Sequence, residues 1–313
     1  MKKDMKRITA VKSCFLALLA GFLLAGCFGK THVIRLGAAP QGGLYYEFGV
    51  TFANQLRQDN MVLDVRITSG SVENLQLLKE GRLQAGIAQS DVLYADAEEN
   101  RKNPVYSAIA PLYSEAVHIV VRSESDIHSV QDLRGKIVAI GDETSGTCVN
   151  ALDVLNACGL TDRDMTFMYN NYDLASQDLM DKRIDAFFMT AGTPNNVIGD
   201  IARNEGIRLI SLEPEIIEKL CASMPCYSAF TIGKDTYARM EEDTVTVCVT
   251  SVLLVRNDLS EDAVYTLTKR LSESQDVLSQ RLRIRLLRDA GGILSSISLP
   301  VHPGAAGYLR EQK

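Results

Sequence analysis

Three short segments carry the residue types that hold an anion with backbone amides. They are Gln41-Gly42-Gly43-Leu44-Tyr45-Tyr46, Ser69-Gly70-Ser71-Val72-Glu73-Asn74 and Thr144-Ser145-Gly146-Thr147. Each joins a β-like run to a helix-like run. Glycine lets the backbone approach a ligand closely. The unpaired N–H groups and the positive end of a helix start then favour a carboxylate or a phosphate. The plainer role for Ser71 and Ser145 is to cap their helices, and one such segment alone carries little weight. Three of them in two halves of one chain point to a ligand site. Of Tyr45 and Tyr46, one is expected to lie over the ligand and the other to face the core. Gln89-Ser90-Asp91 closes a strand, where α/β proteins place ligand contacts, although Asp91 also suits a helix cap. Thr190-Ala191-Gly192 closes the corresponding strand in the second half. The candidate ligand residues are therefore Gly43, Tyr45, Tyr46, Ser71, Gln89, Ser90, Asp91, Ser145, Gly146, Thr147, Thr190, Ala191 and Gly192.

Signatures of chemistry on a substrate are missing. The chain has no G-x-S-x-G, G-x-G-x-x-G, Walker A or H-E-x-x-H motif. His32, His118, His128 and His302 show no metal-ligand spacing, so no metal or cofactor is expected. The net charge of −6 disfavours nucleic acid, which needs a basic face. Binding, not catalysis, is the reading these absences leave.

The elements that must position the candidate residues begin after a leader. Lys2, Lys3, Lys6, Arg7 and Lys12 precede an apolar run from Cys14 to Leu24, which ends in Leu24-Ala25-Gly26-Cys27. This is a signal peptide over 1–26, and its apolar run is too short to span a bilayer comfortably. A Cys after Leu-Ala-Gly resembles a bacterial lipobox. Cys27 is therefore the expected lipid anchor, with 27–31 as a tether, and two or three acyl chains hold where one does not. Apart from Cys14 and Cys27, five cysteines remain, an odd number that excludes full pairing. A Cys221–Cys226 bridge stays open.

From residue 32, strand-like and helix-like runs alternate, which indicates βαβ units and a largely parallel sheet. Lys79–Ala88 and Met180–Met189 echo each other as a helix end followed by a strand, which suggests two lobes built alike. The mature length also suits two lobes. Ser260 to Leu287 is helical in pattern. Within it, Arg281, Arg283, Arg285 and Arg288 read as a solvated face, with Leu282, Ile284, Leu286 and Leu287 on the apolar side. His302-Pro303-Gly304-Ala305 reads as a rigid turn that ties the tail to the first lobe.

The segments together resemble the TAXI subgroup of TRAP-transporter substrate-binding proteins over almost the whole mature chain. The resemblance runs through Gly43-Leu44-Tyr45-Tyr46, Gly70-Ser71-Val72-Glu73-Asn74-Leu75, Gln89-Ser90-Asp91-Val92 and Asp132-Leu133-Arg134-Gly135-Lys136. It continues through Ser145-Gly146-Thr147, Ile184-Asp185-Ala186-Phe187-Phe188, Ala191-Gly192-Thr193-Pro194, His302-Pro303-Gly304-Ala305 and Tyr308. It implies an α/β, two-lobed periplasmic binding protein of type II-like fold, each lobe a mixed sheet flanked by helices, with the ligand in the cleft. It also implies capture of a small carboxylate or amino acid, glutamate- or glutamine-like, and delivery to integral membrane TRAP subunits driven by an ion gradient. The expected lobes are 32–117 with 236–313, and 118–235. Two positions depart from the family pattern. Ile232–Tyr237 replaces a Pro-containing segment, and Cys148 stands where a polar residue is expected beside the pocket. Rival readings are a binding lipoprotein for an ABC permease, a sensory receptor, and a periplasmic enzyme acting on a small acid.

Overall fold

Two long strands organise the chain. β4 (Tyr106–Arg122) and β10 (Thr244–Arg256) are buried over nearly their whole lengths and run antiparallel to each other. Their apolar runs are close to continuous, as expected of strands covered on both faces. The computed structural model in which they lie describes residues 32–287 and 291–312. The leader, Cys27, the tether and Arg288 fall outside those residues. Among the described residues, no helix is long and apolar enough to cross a membrane.

The first part of β4 and the second part of β10 belong to one half of a mixed sheet. There β10 pairs with β3 (Ala85–Gln89), which continues to β1 (His32–Gly37) and β2 (Met61–Arg66). The second part of β4 pairs with β7 (Ala186–Ala191) and β8 (Ile207–Leu209). That half continues through β5 (Ile137–Ala139) to β6 (Thr166–Met168), and β9 (Ser228–Ile232) pairs with the first part of β10. β1–β3, β5–β6 and β5–β7 are parallel; the pairs made by β4 and β10 are antiparallel. The expectation of an α/β fold with mixed sheets and flanking helices holds. The β4–β10 register slips between Thr250 and Val252, near the junction of the halves, and again between Leu253 and Leu254 within the first half. Pro111 sits opposite Val252 at that slip, where a residue without an N–H does least harm to a central strand.

Helices cover both faces: α1 (Leu44–Leu56), α2 (Ser71–Lys79), α3 (Ser90–Lys102), α4 (Gly146–Ala157), α5 (Tyr172–Met180), α6 (Asn196–Asn204) and α7 (Pro214–Ser223). α8 (Glu261–Glu273), α9 (Gln275–Leu282), α10 (Gly291–Ser296) and α11 (Pro303–Glu311) follow. One apolar cluster packs α1, α8 and α9 against β1 and β3, through Phe48, Phe52, Leu267 and Leu278. Another packs α5 and α6 against β7, through Leu179, Ile198 and Phe187. A third joins α3, α4 and the long strands. The two echoing segments do occupy matching places, after α2 and after α5. Gly81 (φ +73) and Lys182 (φ +59) take the same left-handed position at the two helix ends.

The expectation of one helix to Leu287 fails. α8 gives way to α9 at Ser274, and Arg283 (φ 55) ends α9 in the left-handed region. Arg283, Ile284, Arg285 and Leu286 then alternate exposed and buried, and the Leu287 amide donates to the Leu112 carbonyl at 2.8 Å. Alternation of arginine and aliphatic residues has period two, which belongs to extended chain and not to helix. The tail is tied down as expected, by a different bond. His302 Nδ1 accepts the Gly304 amide at 3.2 Å and caps α11, and the His302 amide donates to Ala108 of β4 at 2.9 Å.

Candidate functional site

The three glycine-bearing segments converge. α1 starts after Gly43, α2 after Gly70 and α4 after Ser145. With the ends of β3 and β7 they surround a cavity of about 490 Å3, solvent at its mouth included. Gly43, Tyr45, Ser71 and Gln89 line it from one half of the sheet; Ser145, Gly146, Thr147, Tyr172 and Thr190 line it from the other. Gly70 has φ 120 and ψ −141, a backbone state open only to glycine. That turn brings the start of α2 close to the start of α4: a Cβ on Gly70 would lie 4.0 Å from the Ser145 Cα. The halves also touch through bonds. The Glu73 amide donates to the Thr144 carbonyl at 3.1 Å, and Asn150 Nδ2 donates to Asp91 Oδ2 at 2.7 Å.

Four of the hydroxyls about the cavity, those of Ser71, Ser145, Thr147 and Tyr172, are tied to named partners. Ser145 Oγ accepts the Cys148 amide at 3.1 Å and donates to the Asp142 carbonyl at 2.7 Å, so it is the cap of α4. Ser71 is not a cap; it is the first helical residue of α2, and its Oγ accepts the Gln89 amide at 3.1 Å. Thr147 Oγ1 accepts the Thr190 amide at 3.1 Å and lies 2.7 Å from the Tyr172 hydroxyl. Tyr172 donates to the Thr190 carbonyl at 3.2 Å, so the Thr147 hydroxyl is the donor in their mutual bond. The first amides of a helix have no intrahelical acceptor. At α2 and α4 these are the groups that two halves of the molecule present to one small space.

The electrostatics rest on Glu115. It is 3% exposed in β4, and its Oε2 accepts the Tyr45 hydroxyl at 2.7 Å. Burial pushes its carboxyl up to about 8, against the opposing hydrogen bond from Tyr45. Burial raises the Tyr45 phenol as well, with the Glu115 charge adding to it. Asp142, at the rim, is raised by burial and then by Glu73. Among the described residues that line the cavity there is no lysine or arginine.

The NMT1-like family pattern matches residues 36–312. The chain belongs to the NMT1-like family. Solved structures of similar fold include a protein of Bordetella bronchiseptica RB50, at 13% identity and TM-score 0.56, covering 89% of this chain and 88% of that one. Another is XAC2383 from Xanthomonas citri bound to chloride, at 13% identity and TM-score 0.53, covering 90% and 98%. A third is Tv2483 bound to L-arginine, at 12% identity and TM-score 0.51, covering 81% and 90%. What these structures share with this chain is the fold, a mixed α/β sheet flanked by helices.

In this NMT1-like chain the cavity gathers nine of the thirteen candidate residues: Gly43, Tyr45, Ser71, Gln89, Ser145, Gly146, Thr147, Thr190 and Ala191. Four lie off it. Tyr46 packs half-buried against the cluster of α1 and β1, since neighbouring helical residues point about 100° apart. Ser90 Oγ accepts the Thr250 amide at 3.0 Å inside the sheet. Asp91 joins a buried chain in which Asn150 also donates to the Tyr227 hydroxyl, and Tyr227 donates to Asp153. Gly192 does not line the cavity; it packs against Leu44, where a Cβ would lie 2.6 Å from the leucine Cδ1. Cys148 is corrected too. It is 4% exposed and packs into the core of α4, so it does not shape the cavity.

Sequence reasoning missed Glu115, Asp142, Asn171 and Tyr172, which also line the cavity. For Glu115 a signal existed: from Tyr106 to Val121 it is the one Asp, Glu, Lys or Arg in an apolar run. Asn171 and Tyr172 stand in an ordinary helix cap, where Asn171 accepts the Leu174 amide at 3.0 Å, and nothing in their pattern separates them from any other cap.

Proposed function

We propose that this chain is an extracytoplasmic solute receptor that closes around one small carboxylate or amino acid and hands it to a membrane transporter. The observation that supports this most directly is the meeting of two helix starts, α2 and α4, from opposite halves of the sheet around one buried cavity. Binding that joins two halves favours the closed arrangement by the ligand's differential affinity for it. No bond of the ligand need change. The pairing pattern supports two lobes joined by β4 and β10. The first leaves through β4 near Ala116; β9 pairs with the first part of β10, which moves the return from residue 236 into β10 near Thr250. The Ser145→Ala, Thr147→Ala double variant removes one cap and one hydroxyl bridge from the cavity wall. We expect it to weaken ligand binding about tenfold or more, at roughly 1 kcal/mol per lost hydrogen bond, without unfolding the protein. Calorimetry that finds unchanged affinity rejects the site.

Delivery to a TRAP transporter, in preference to an ABC permease, rests on the order and spacing of the TAXI-like segments. A neighbouring gene for a large fused integral membrane subunit supports it, and transport reconstituted only with an ATP-hydrolysing permease refutes it. Anchoring at Cys27 rests on Leu24-Ala25-Gly26-Cys27. A Cys27→Ser variant should leave the membrane fraction; one that still sediments with membranes removes the anchor from the reading.

A further inference from the structure

The cavity holds the carboxyl group of Glu115 with no lysine or arginine among the described residues that line it. A carboxylate offers about four acceptor sites. Tyr45 takes one on Glu115 at 2.7 Å, and the Gln89 side chain lies against the same group. Two further acceptors line the same cavity, Gln89 from one half and Thr190 from the other. Gln89 Oε1 and Thr190 Oγ1 are buried and have no hydrogen-bond partner among the described residues. A buried acceptor left without a donor is costly, and a buried carboxyl without a cation keeps its proton instead of its charge. Beside these acceptors stands the reverse chemistry, the amide donors at the starts of α2 and α4, which suit an anion. The two sets interleave closely. A Cβ on Gly146 of α4 would lie 1.7 Å from Gln89 Oε1 and 2.9 Å from Ser71 Oγ of α2.

We infer that the cavity takes a zwitterion, its ammonium on Glu115 with Gln89 Oε1 and Thr190 Oγ1 as further acceptors, and its carboxylate on the starts of α2 and α4. An ammonium supplies three donors and a positive charge beside which Glu115 can ionise. The ligand class is therefore a monoamino acid of small or uncharged side chain. A dicarboxylate or a sulfonate brings no ammonium, so it leaves Gln89 Oε1 and Thr190 Oγ1 without a charged donor and gives Glu115 no reason to ionise. This rests on the receptor reading above and narrows it.

The purified full chain is to be screened by thermal shift and calorimetry against the twenty common amino acids. Each is paired with the acid that lacks its amino group, such as L-leucine with 4-methylpentanoate and L-glutamate with glutarate; ethanesulfonate is added. At least one amino acid should bind, with its partner acid about a hundredfold weaker. Glu115→Gln should weaken the amino acid and erase most of that discrimination. A second readout needs no variant. Glu115 holds its proton near neutral pH in the empty cavity, and an ammonium beside it favours the ionised form. Binding at pH 7 should therefore release close to one proton, seen by repeating calorimetry in buffers of different ionisation enthalpy. The other titratable groups about Glu115 are Tyr45, Tyr113, Tyr172, Asp91 and Asp142; loss of the release in Glu115→Gln assigns the proton. Equal binding within a pair, discrimination preserved in Glu115→Gln, or binding without proton release each overturns the inference. If an amine-free anion binds and the Ser145, Thr147 double variant weakens it, the receptor reading stands and this inference falls. If nothing in the panel binds, and native mass spectrometry of the purified chain finds no small molecule, both fall.

Discussion

Gly146→Ala separates closure from folding. The added methyl would sit 1.7 Å from Gln89 Oε1, 2.4 Å from its Cδ and 2.9 Å from Ser71 Oγ, and all three atoms belong to the opposite half. No real methyl tolerates the first of these contacts. Gly146 does not have positive φ, so alanine fits the backbone there. Early in a helix it even gains about 0.5–1 kcal/mol over glycine. Two responses remain. Either the halves stay apart, or Gln89 swings aside into the cavity and gives up its place against Glu115. Each removes one or two buried hydrogen bonds from the closed state, at about 1–3 kcal/mol apiece. Affinity should therefore fall about ten- to a hundredfold, at 1.4 kcal/mol per factor of ten. The ligand-free melting temperature should hold or rise. Calorimetry with the tightest-binding amino acid of the panel, a melt without ligand, and small-angle scattering of both states check this. Wild-type affinity with wild-type compaction on binding would refute the argument that α4 and Gln89 meet to close the site.

Three further outcomes follow from the same contacts. Glu115 and Asp91 are both raised by burial, to about 8 and about 7. The folded protein thus holds protons that the unfolded chain has already lost, and stability must fall as pH rises through that window. Buried His118, lowered to about 4 from 6.5, acts in the opposite sense only below pH 6.5. The melting temperature of the ligand-free protein should therefore drop between pH 6.5 and 8, and Glu115→Gln should flatten the drop; a flat wild-type profile contradicts it. Asn74 is fully buried, donates to the Ala38 and Ile87 carbonyls at 2.7 and 2.8 Å, and accepts the Thr68 hydroxyl. Asn74→Ala should cost several kcal/mol, at about 1–3 kcal/mol for each buried group left unpaired, and a chemical melt within 1 kcal/mol of wild type, on the same scale, would show that these bonds do not hold α2 to the sheet. His302→Ala should cost only about 0.5–2 kcal/mol through the lost cap of α11 and leave ligand affinity unchanged; altered affinity would draw the tail into the binding site.

The local grammar of the chain was legible from its residues. Strand-to-helix alternation, three glycine-bearing helix starts and the echo between Lys79–Ala88 and Met180–Met189 are all short-range patterns, and the α/β architecture and most of the cavity wall follow from them. Where the reading slipped, two periods competed within a few residues. The arginine and leucine run at 281–287 contains a helix end and then an extended segment, and only the left-handed Arg283 divides them. What neighbours in sequence could not decide is which side chains meet across the molecule. Ser71 and Ser145 look alike as caps, yet Ser145 caps its helix while Ser71 receives an amide from Gln89. Glu115 was in plain view as a lone carboxylate in an apolar strand. Only the pairing of β4 with β10 and the approach of Tyr45 from α1 bury it in a cavity whose described lining residues include no lysine or arginine. Amide donors at helix starts are a local property of three residues; the charge they must be matched with is set by contacts some seventy residues away, because burial and Coulomb interaction depend on distance in space and not along the chain.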